Sequence, residues 1–237
     1  MDARSPAPPT VTFLFDIDGT LLRTEGAGLA ALHSAFKTVF GIDQVAQVEV
    51  RGRTDRAIVR DIFAHHGIPE SLEHWQEFQS EYLRELPQSL ARRPGQLLPG
   101  VAATLDVLTR REHTALGLLT GNAHAAAQIK LSHFGIDHLF AFGGFGDHSV
   151  CRNQVAHQAV EAAATHLGEQ FDRGAVCVIG DTPLDVACGR SIGARTIGVL
   201  TGSYDRESME AAQPDLLLDD LSEFVLRFDQ AGNSAAN

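Results

Sequence analysis

Asp16 and Asp18 stand two residues apart at the end of a short apolar run, residues 11–15, in the stretch VTFLFDIDGTLL. The run is β-branched and aromatic and reads as a buried parallel strand. Carboxylates are rarely buried without partners. A pair of them at the end of a core strand therefore implies a cation, a shared proton, or both. Asp16 closes the strand, so its side chain is held rigidly, and Gly19 permits a turn just past Asp18. Three roles suit such a pair: a nucleophile, a general acid/base, and oxygen ligands for a hard cation such as Mg²⁺. The competing possibility is a plain strand-end turn, where Asp and Gly are common. The complete DIDGTLL string behind an apolar strand weighs against it.

The same pattern returns in AVCVIGDTPLD, residues 175–185. An apolar strand again ends in an acid, Asp181, and Asp185 follows four residues later. With Pro183 opening a helix, both carboxylates fall on one side, where they repel each other without a cation. Between these stretches, Leu118-Leu119 runs into Thr120-Gly121-Asn122 ahead of a helix. Thr120 offers a hydroxyl proton, and the Gly121 and Asn122 amides near a helix N-terminus favour an anion. A capped strand-to-helix junction would look the same.

Asp16-Ile17-Asp18-Gly19-Thr20 resembles the first motif of the haloacid dehalogenase-like hydrolases, whose commonest members are Mg²⁺-dependent phosphatases. The resemblance implies that Asp16 attacks phosphorus and that Asp18 protonates the leaving oxygen and then activates water. Thr120 resembles the second motif, whose hydroxyl holds the phosphoryl group with help from Gly121 and Asn122. Asp181 resembles the metal-binding Asp of the fourth motif. Mg²⁺ would be held by Asp16, the backbone carbonyl of Asp18, and Asp181, with Asp185 orienting the site. The third motif calls for a cation between Thr120 and Asp181, usually Lys. The chain has two lysines, Lys37 and Lys130. Lys130 lies about two turns into the helix after Thr120 and is expected to be exposed. Arg152 opens the helix before the Asp181 strand, where the motif belongs, and is the choice; it supplies a permanent charge and a planar fork. Arg53, in Gly52-Arg53-Thr54-Asp55, sits in a loop that faces the active site in similar proteins, and is a candidate for a substrate carboxylate or phosphate.

These residues need a frame that brings distant strand ends together. After residue 22, Gly26 and Gly28 suggest a hinge. Helical spacing then covers residues 29–40 (Leu29, Leu32, Phe36, Val39, Phe40), 57–66, and 71–86, the last with Ser71 as N-cap and Leu72, Trp75, Phe78, Tyr82 and Leu86 on its apolar side. Pro87 is expected to break that helix. Beyond residue 95, strands at 113–119, 139–143, 175–179, 196–200 and 216–218 alternate with helices at 101–110, 123–134, 154–167 and 185–192. That order predicts an α/β fold with a doubly wound parallel sheet. The resemblance implies the same: a Rossmannoid core (11–23 and 95–230) with an all-helical cap inserted at 24–94, and frayed tails at 1–10 and 231–237.

With 237 residues the chain is long enough for one sizeable core and a small accessory domain. A formal net charge of −11 argues against a nucleic-acid partner. It leaves room for a small phosphorylated metabolite, because a local cation inverts the field. No apolar run approaches a membrane span and no signal peptide opens the chain. Cys151, Cys177 and Cys188 lack metal-type spacing, so buried reduced thiols and a cytoplasmic setting are expected, as monomer or homodimer. An acid/base Asp at position 18 disfavours a dehalogenase and a phosphonate hydrolase of this family. A phosphosugar mutase shares all four motifs. A non-catalytic phospho-ligand-binding protein would not need the Asp16/Asp18 pair.

Overall fold

The computed structural model describes residues 10–225. Of the tails expected at 1–10 and 231–237, residues 1–9 and 231–237 lie outside the described residues, and Thr10 is instead the first residue of β1. In chain order the elements are β1 (Thr10–Phe15), β2 (Leu22–Arg23), α1 (Ala27–Phe40), α2 (Asp55–His65), α3 (Leu72–Ala91), β3 (Gln96–Leu97), α4 (Val101–Thr109), β4 (Thr114–Leu119), α5 (His124–His133), β5 (Phe142–Gly144), α6 (Arg152–Leu167), β6 (Phe171–Gly180), α7 (Pro183–Ser191), β7 (Arg195–Val199), α8 (Arg206–Ala211) and β8 (Leu216–Leu218).

Six strands form one parallel sheet in the order β5-β4-β1-β6-β7-β8. β1 runs through the middle, and Leu14 and Phe15 are fully buried. Phe15 is level with Leu118 of β4 and Ile179 of β6. The chain builds outward from β1 on one side, then crosses back to β6 on the other. Ligands bind at such a reversal, outside the carboxyl ends of the strands. Asp16, Thr120 and Asp181 each sit just past one of these three adjacent ends, so the sheet register alone brings them together.

Helices α1, α2 and α3 lie between β2 and β3. Those two short strands pair antiparallel, Leu22 with Leu97, so the chain leaves and re-enters the sheet side by side. The helices share an aromatic core of Phe36, Phe63, Trp75, Phe78 and Tyr82, which also takes in Ala123 and Ala126 from α5.

Several details differ from expectation. Pro87 does not break α3, which runs on to Ala91. One lost backbone hydrogen bond is outweighed there by anchoring on both sides: Leu86 and Leu90 are buried, and the Ser89 hydroxyl donates to the Ala27 carbonyl at 2.8 Å. Leu72 is 67% exposed, not on the apolar side, because it is the first residue of the helix and precedes the packed turns. The expected strand at 139–143 falls at Phe142–Gly144, after a 3₁₀ turn at Asp137–Leu139. The β2–β3 ribbon and α8 were not expected. All three cysteines are free; Cys177 and Cys188 are buried, but Cys151 is exposed at the start of α6.

Candidate active site

A cleft of about 450 Å³ opens between the carboxyl ends of the strands and the helices α1–α3. Asp16, Asp18, Gly121, Asn122, Arg152 and Asp181 line it on the sheet side; Leu29, Leu32, Arg53, Ile58 and Tyr82 line it on the helical side. Thr120 lies just beneath, fully buried.

Asp16 is fixed by its position on the central strand, its N–H donating to the Ile179 carbonyl at 2.9 Å. The chain then turns sharply: Ile17 O accepts from Leu21 N at 2.9 Å, and Gly19, at φ +87°, completes the turn. A side chain at Gly19 would be strained at that φ and its Cβ would stand 2.5 Å from an Asp181 oxygen. The first and fourth motifs are thus in direct contact. Thr20 strengthens the junction, its hydroxyl donating to Asp181 Oδ1 at 3.0 Å.

Asp185 is drawn inward by a capping box. Thr182 is the N-cap of α7, and its N–H and hydroxyl donate to Asp185 Oδ2 at 3.1 and 2.7 Å. The other oxygen, Oδ1, accepts from Arg152. The same guanidinium lies 3.6 Å from Asp16 Oδ1. Arg152 is buried, with Nε lacking any hydrogen-bond partner. A Cβ on Gly121 would stand 3.0 Å from its Nη1.

Oxygens of Asp16, Asp181 and Asp185 lie within 4.8 Å of one another. Burial, then the Asp185 charge, pushes the Asp16 carboxyl up to about 7, against the pull of Arg152. The same two causes hold Asp181 well above the ordinary carboxylate range. Burial works against the charge on Arg152, but Asp185 and Asp16 overcome it and raise its pKa. Three buried acids against one buried base leave a deficit of positive charge. An all-oxygen donor set of this kind suits a hard divalent cation, and Mg²⁺ fits it.

Thr120 Oγ1 accepts from Asn122 N at 3.3 Å and Asn122 Nδ2 at 2.9 Å, so its own proton is free to be donated. Asn122 Nδ2 also donates to Asp18 Oδ2 at 2.8 Å. Arg53 lines the cleft, but its guanidinium is held by Asp61 at 2.7 Å and the Glu49 carbonyl at 3.0 Å. Its backbone carbonyl presses on Gly121, where a Cβ would stand 2.0 Å away; glycine is required for that approach.

Two residues of the site were not anticipated. Lys130, expected to be exposed, is buried and donates to Asp18 Oδ2 and Asn122 Oδ1, both at 2.6 Å. Its position carried a signal: Ala123, Ala126, Ala127, Lys130 and Leu131 fall on one helical stripe, and all are buried. Asp55 is the other. It follows the N-cap Thr54 of α2, its N–H donates to the Gly121 carbonyl at 2.7 Å, and its Oδ2 accepts from Ala123 N at 2.8 Å. With Asp147 Oδ2, which accepts from His124 N at 2.7 Å, it caps α5 from outside that helix.

The fold and this arrangement of acids define a haloacid dehalogenase-like hydrolase: that family matches residues 13–199, and the chain belongs to it. A phosphoglycolate phosphatase from Synechococcus elongatus is 30% identical over 217 residues, covering 90% of this chain and 94% of the relative. Among solved structures, CbbY from Rhodobacter sphaeroides in complex with phosphate superposes with a TM-score of 0.69 at 16% identity, covering 90% of this chain and 96% of that one. A putative beta-phosphoglucomutase from Thermotoga maritima gives 0.61 at 19% identity over 92% and 98%. Among the described residues no helix is long and apolar enough to cross a membrane.

Proposed function

We propose that this hydrolase is a Mg²⁺-dependent phosphatase. It would act on a small phosphate monoester, phosphoglycolate- or sugar-phosphate-like, through an aspartyl-phosphate. The observation that carries the proposal is Asp16: a buried carboxylate on the central strand, beside the Arg152 guanidinium and the Asp181 carboxylate, at the floor of a cleft that also holds Asp18. The similarity to the Synechococcus phosphoglycolate phosphatase supports the substrate class, and the modest cleft suits a compact ester.

Asp16 and Asp181, with the Asp18 backbone carbonyl, are the residues that would hold Mg²⁺. Its charge would offset that of the carboxylates and of the bound phosphoryl group. Arg152, Thr120 and the Gly121 amide would bind the phosphoryl oxygens, with Asn122 beside them and Asp185 holding Arg152 in place. An Asp16 oxygen attacks phosphorus as the ester P–O bond breaks, and Asp18 gives its proton to the leaving oxygen. Water then loses a proton to Asp18 and attacks the same phosphorus. The Asp16–phosphorus bond breaks, releasing inorganic phosphate and restoring both carboxyl groups. We take residues 24–94 as a cap that closes over the site and excludes water. Arg53, held by Asp61, would reach a substrate only on leaving that partner. A reducing cytoplasm suits three free thiols.

The test is phosphate release from a panel of phosphate esters with and without Mg²⁺, with Asp16→Asn as control. Mg²⁺-dependent release that the substitution abolishes is expected. No turnover across the panel would indicate a phospho-ligand-binding protein. Conversion of a phosphosugar without net phosphate release would indicate a mutase.

A further inference from the structure

Lys130 is a buried cation that the mechanism above does not use. Its ammonium donates two of its three N–H bonds, one to Asp18 Oδ2 and one to Asn122 Oδ1, each at 2.6 Å. The second bond fixes the Asn122 amide, because Oδ1 must face the ammonium. Nδ2 is then left to donate to Asp18 Oδ2 and Thr120 Oγ1. Asp18 lies past the strand end, in a turn, with its side chain 42% exposed. Nothing in its own backbone setting would hold the carboxyl in one orientation. Lys130 and Asn122 do so from the neighbouring strand-helix unit.

We propose that Lys130 is the positioning residue for the proton-transfer carboxyl, acting both directly on Asp18 and through Asn122. The proposal rests on the aspartyl-phosphate mechanism. Two charged or amide donors converge on Oδ2, and no donor among the described residues bonds Oδ1. The proton that Asp18 gives and takes therefore resides on Oδ1, while Oδ2 serves as the fixed end. The helical insertion takes part in the arrangement. A Cβ on Gly28 of α1 would lie 3.7 Å from Lys130 Nζ and 3.6 Å from the Tyr82 hydroxyl. The ammonium is thus shielded from water by α1 and α3.

Leaving groups distinguish this role from substrate binding. A nitrophenolate leaves without a proton, so forming aspartyl-phosphate from p-nitrophenyl phosphate needs no acid; its hydrolysis still needs Asp18 as base. An alkyl phosphate such as phosphoglycolate needs Asp18 in both steps. Lys130→Met, compared with wild type in saturating Mg²⁺, is expected to lose about 10²-fold in kcat on phosphoglycolate. On p-nitrophenyl phosphate it should show a burst approaching one equivalent of nitrophenolate per enzyme, then slow turnover. Lys130→Arg, which keeps the charge and reaches nearly as far, is expected to recover at least a tenth of the wild-type rate on phosphoglycolate, and it serves as the folding control if the Met variant is unstable. Three results would overturn the proposal: equal losses in burst and steady state, a raised KM with kcat unchanged, or a Lys130→Arg variant as slow on phosphoglycolate as Asp18→Asn. A wild-type enzyme that releases no phosphate from either ester would instead overturn the mechanism, and the proposal with it.

Discussion

On the sheet side of the cleft, Arg152 faces Asp16, Asp181 and Asp185, all buried. Closer to the cap, but still on the core, Lys130 of α5 faces Asp18, whose side chain is 42% exposed, with Asp55 of the cap nearby. Each side holds one buried base, but their acids differ in access to water. The sheet-side acids are shut off from solvent, so their charge is met by Arg152 and, on the proposed function, by a metal ion. Asp18 is partly solvated, and Lys130 and Asn122 fix its orientation. On the proposed mechanism, one side gathers charge and the other aims a proton.

If that contrast holds, removing the two bases has unequal consequences. Arg152→Met strands Asp16 and Asp185 in the interior. Breaking a buried pair by removing one partner costs about 3–5 kcal/mol, and urea denaturation in metal-free buffer should show a loss of that size together with loss of turnover. Lys130→Met leaves Asp18 to water and one buried acceptor, Asn122 Oδ1, without its donor, for which about 1–3 kcal/mol is expected. Equal destabilisation by the two substitutions would break the comparison.

Metal binding sharpens the contrast further. The Asp16 carboxyl, raised to about 7 by burial and then by Asp185, and Asp181, raised for the same reasons, both favour the protonated form in the metal-free protein. A carboxyl raised above its unfolded value favours folding below that value, and the benefit is lost as pH rises through the folded pKa. On the proposed function Mg²⁺ would bind the ionised form. Its stabilising effect should therefore be large above pH 7 and fade as pH falls through 7 toward the ordinary carboxylate range. At a Mg²⁺ concentration about 100-fold above its Kd the gain would be about 2.7 kcal/mol. Thermal melts at several pH values, with and without Mg²⁺, measure it. Asp181→Asn should remove most of the gain and Lys130→Met almost none.

The two sides also differ in how far they could be read from the sequence. Asp16, Asp181 and Thr120 each end an apolar run, and a parallel sheet places such ends together; the strand pattern marked the positions, and the family resemblance assigned them to one site. Arg152 followed from the family resemblance, whose third motif implies a cation at the start of α6. Lys130 escaped because a lysine on a helix is solvent-facing by default, and the weight given to its type hid the buried stripe it shares with Ala126 and Ala127. Asp55 escaped for a different reason. Its partners are backbone groups of Gly121 and Ala123, more than 60 residues away, and no periodicity reports a long-range backbone contact. The Pro87 error belongs with these, since a helix breaker is overruled by Leu86, Leu90 and Ser89 only once tertiary packing exists.

Asp55 offers the finest test, because it belongs to the cap yet ends on the core. Burial raises its pKa to about 6, although Lys130 and the Ala123 N–H both pull it down. Ionised, it accepts a strong bond from the buried Ala123 N–H at the start of α5; protonated, it is the form that burial prefers. Its contribution to folding is thus greatest below about pH 4 and is lost as pH rises through about 6. Asp55→Asn keeps an acceptor for Ala123 N without the charge. The variant should melt within a few degrees of wild type, and its melting temperature should fall less than that of wild type between pH 4 and 6. The sheet-side carboxyls titrate in both proteins, so the difference between the two curves reports Asp55 alone. Identical curves would mean that water reaches Asp55 freely, and that the cap side is more open than the buried Lys130 implies.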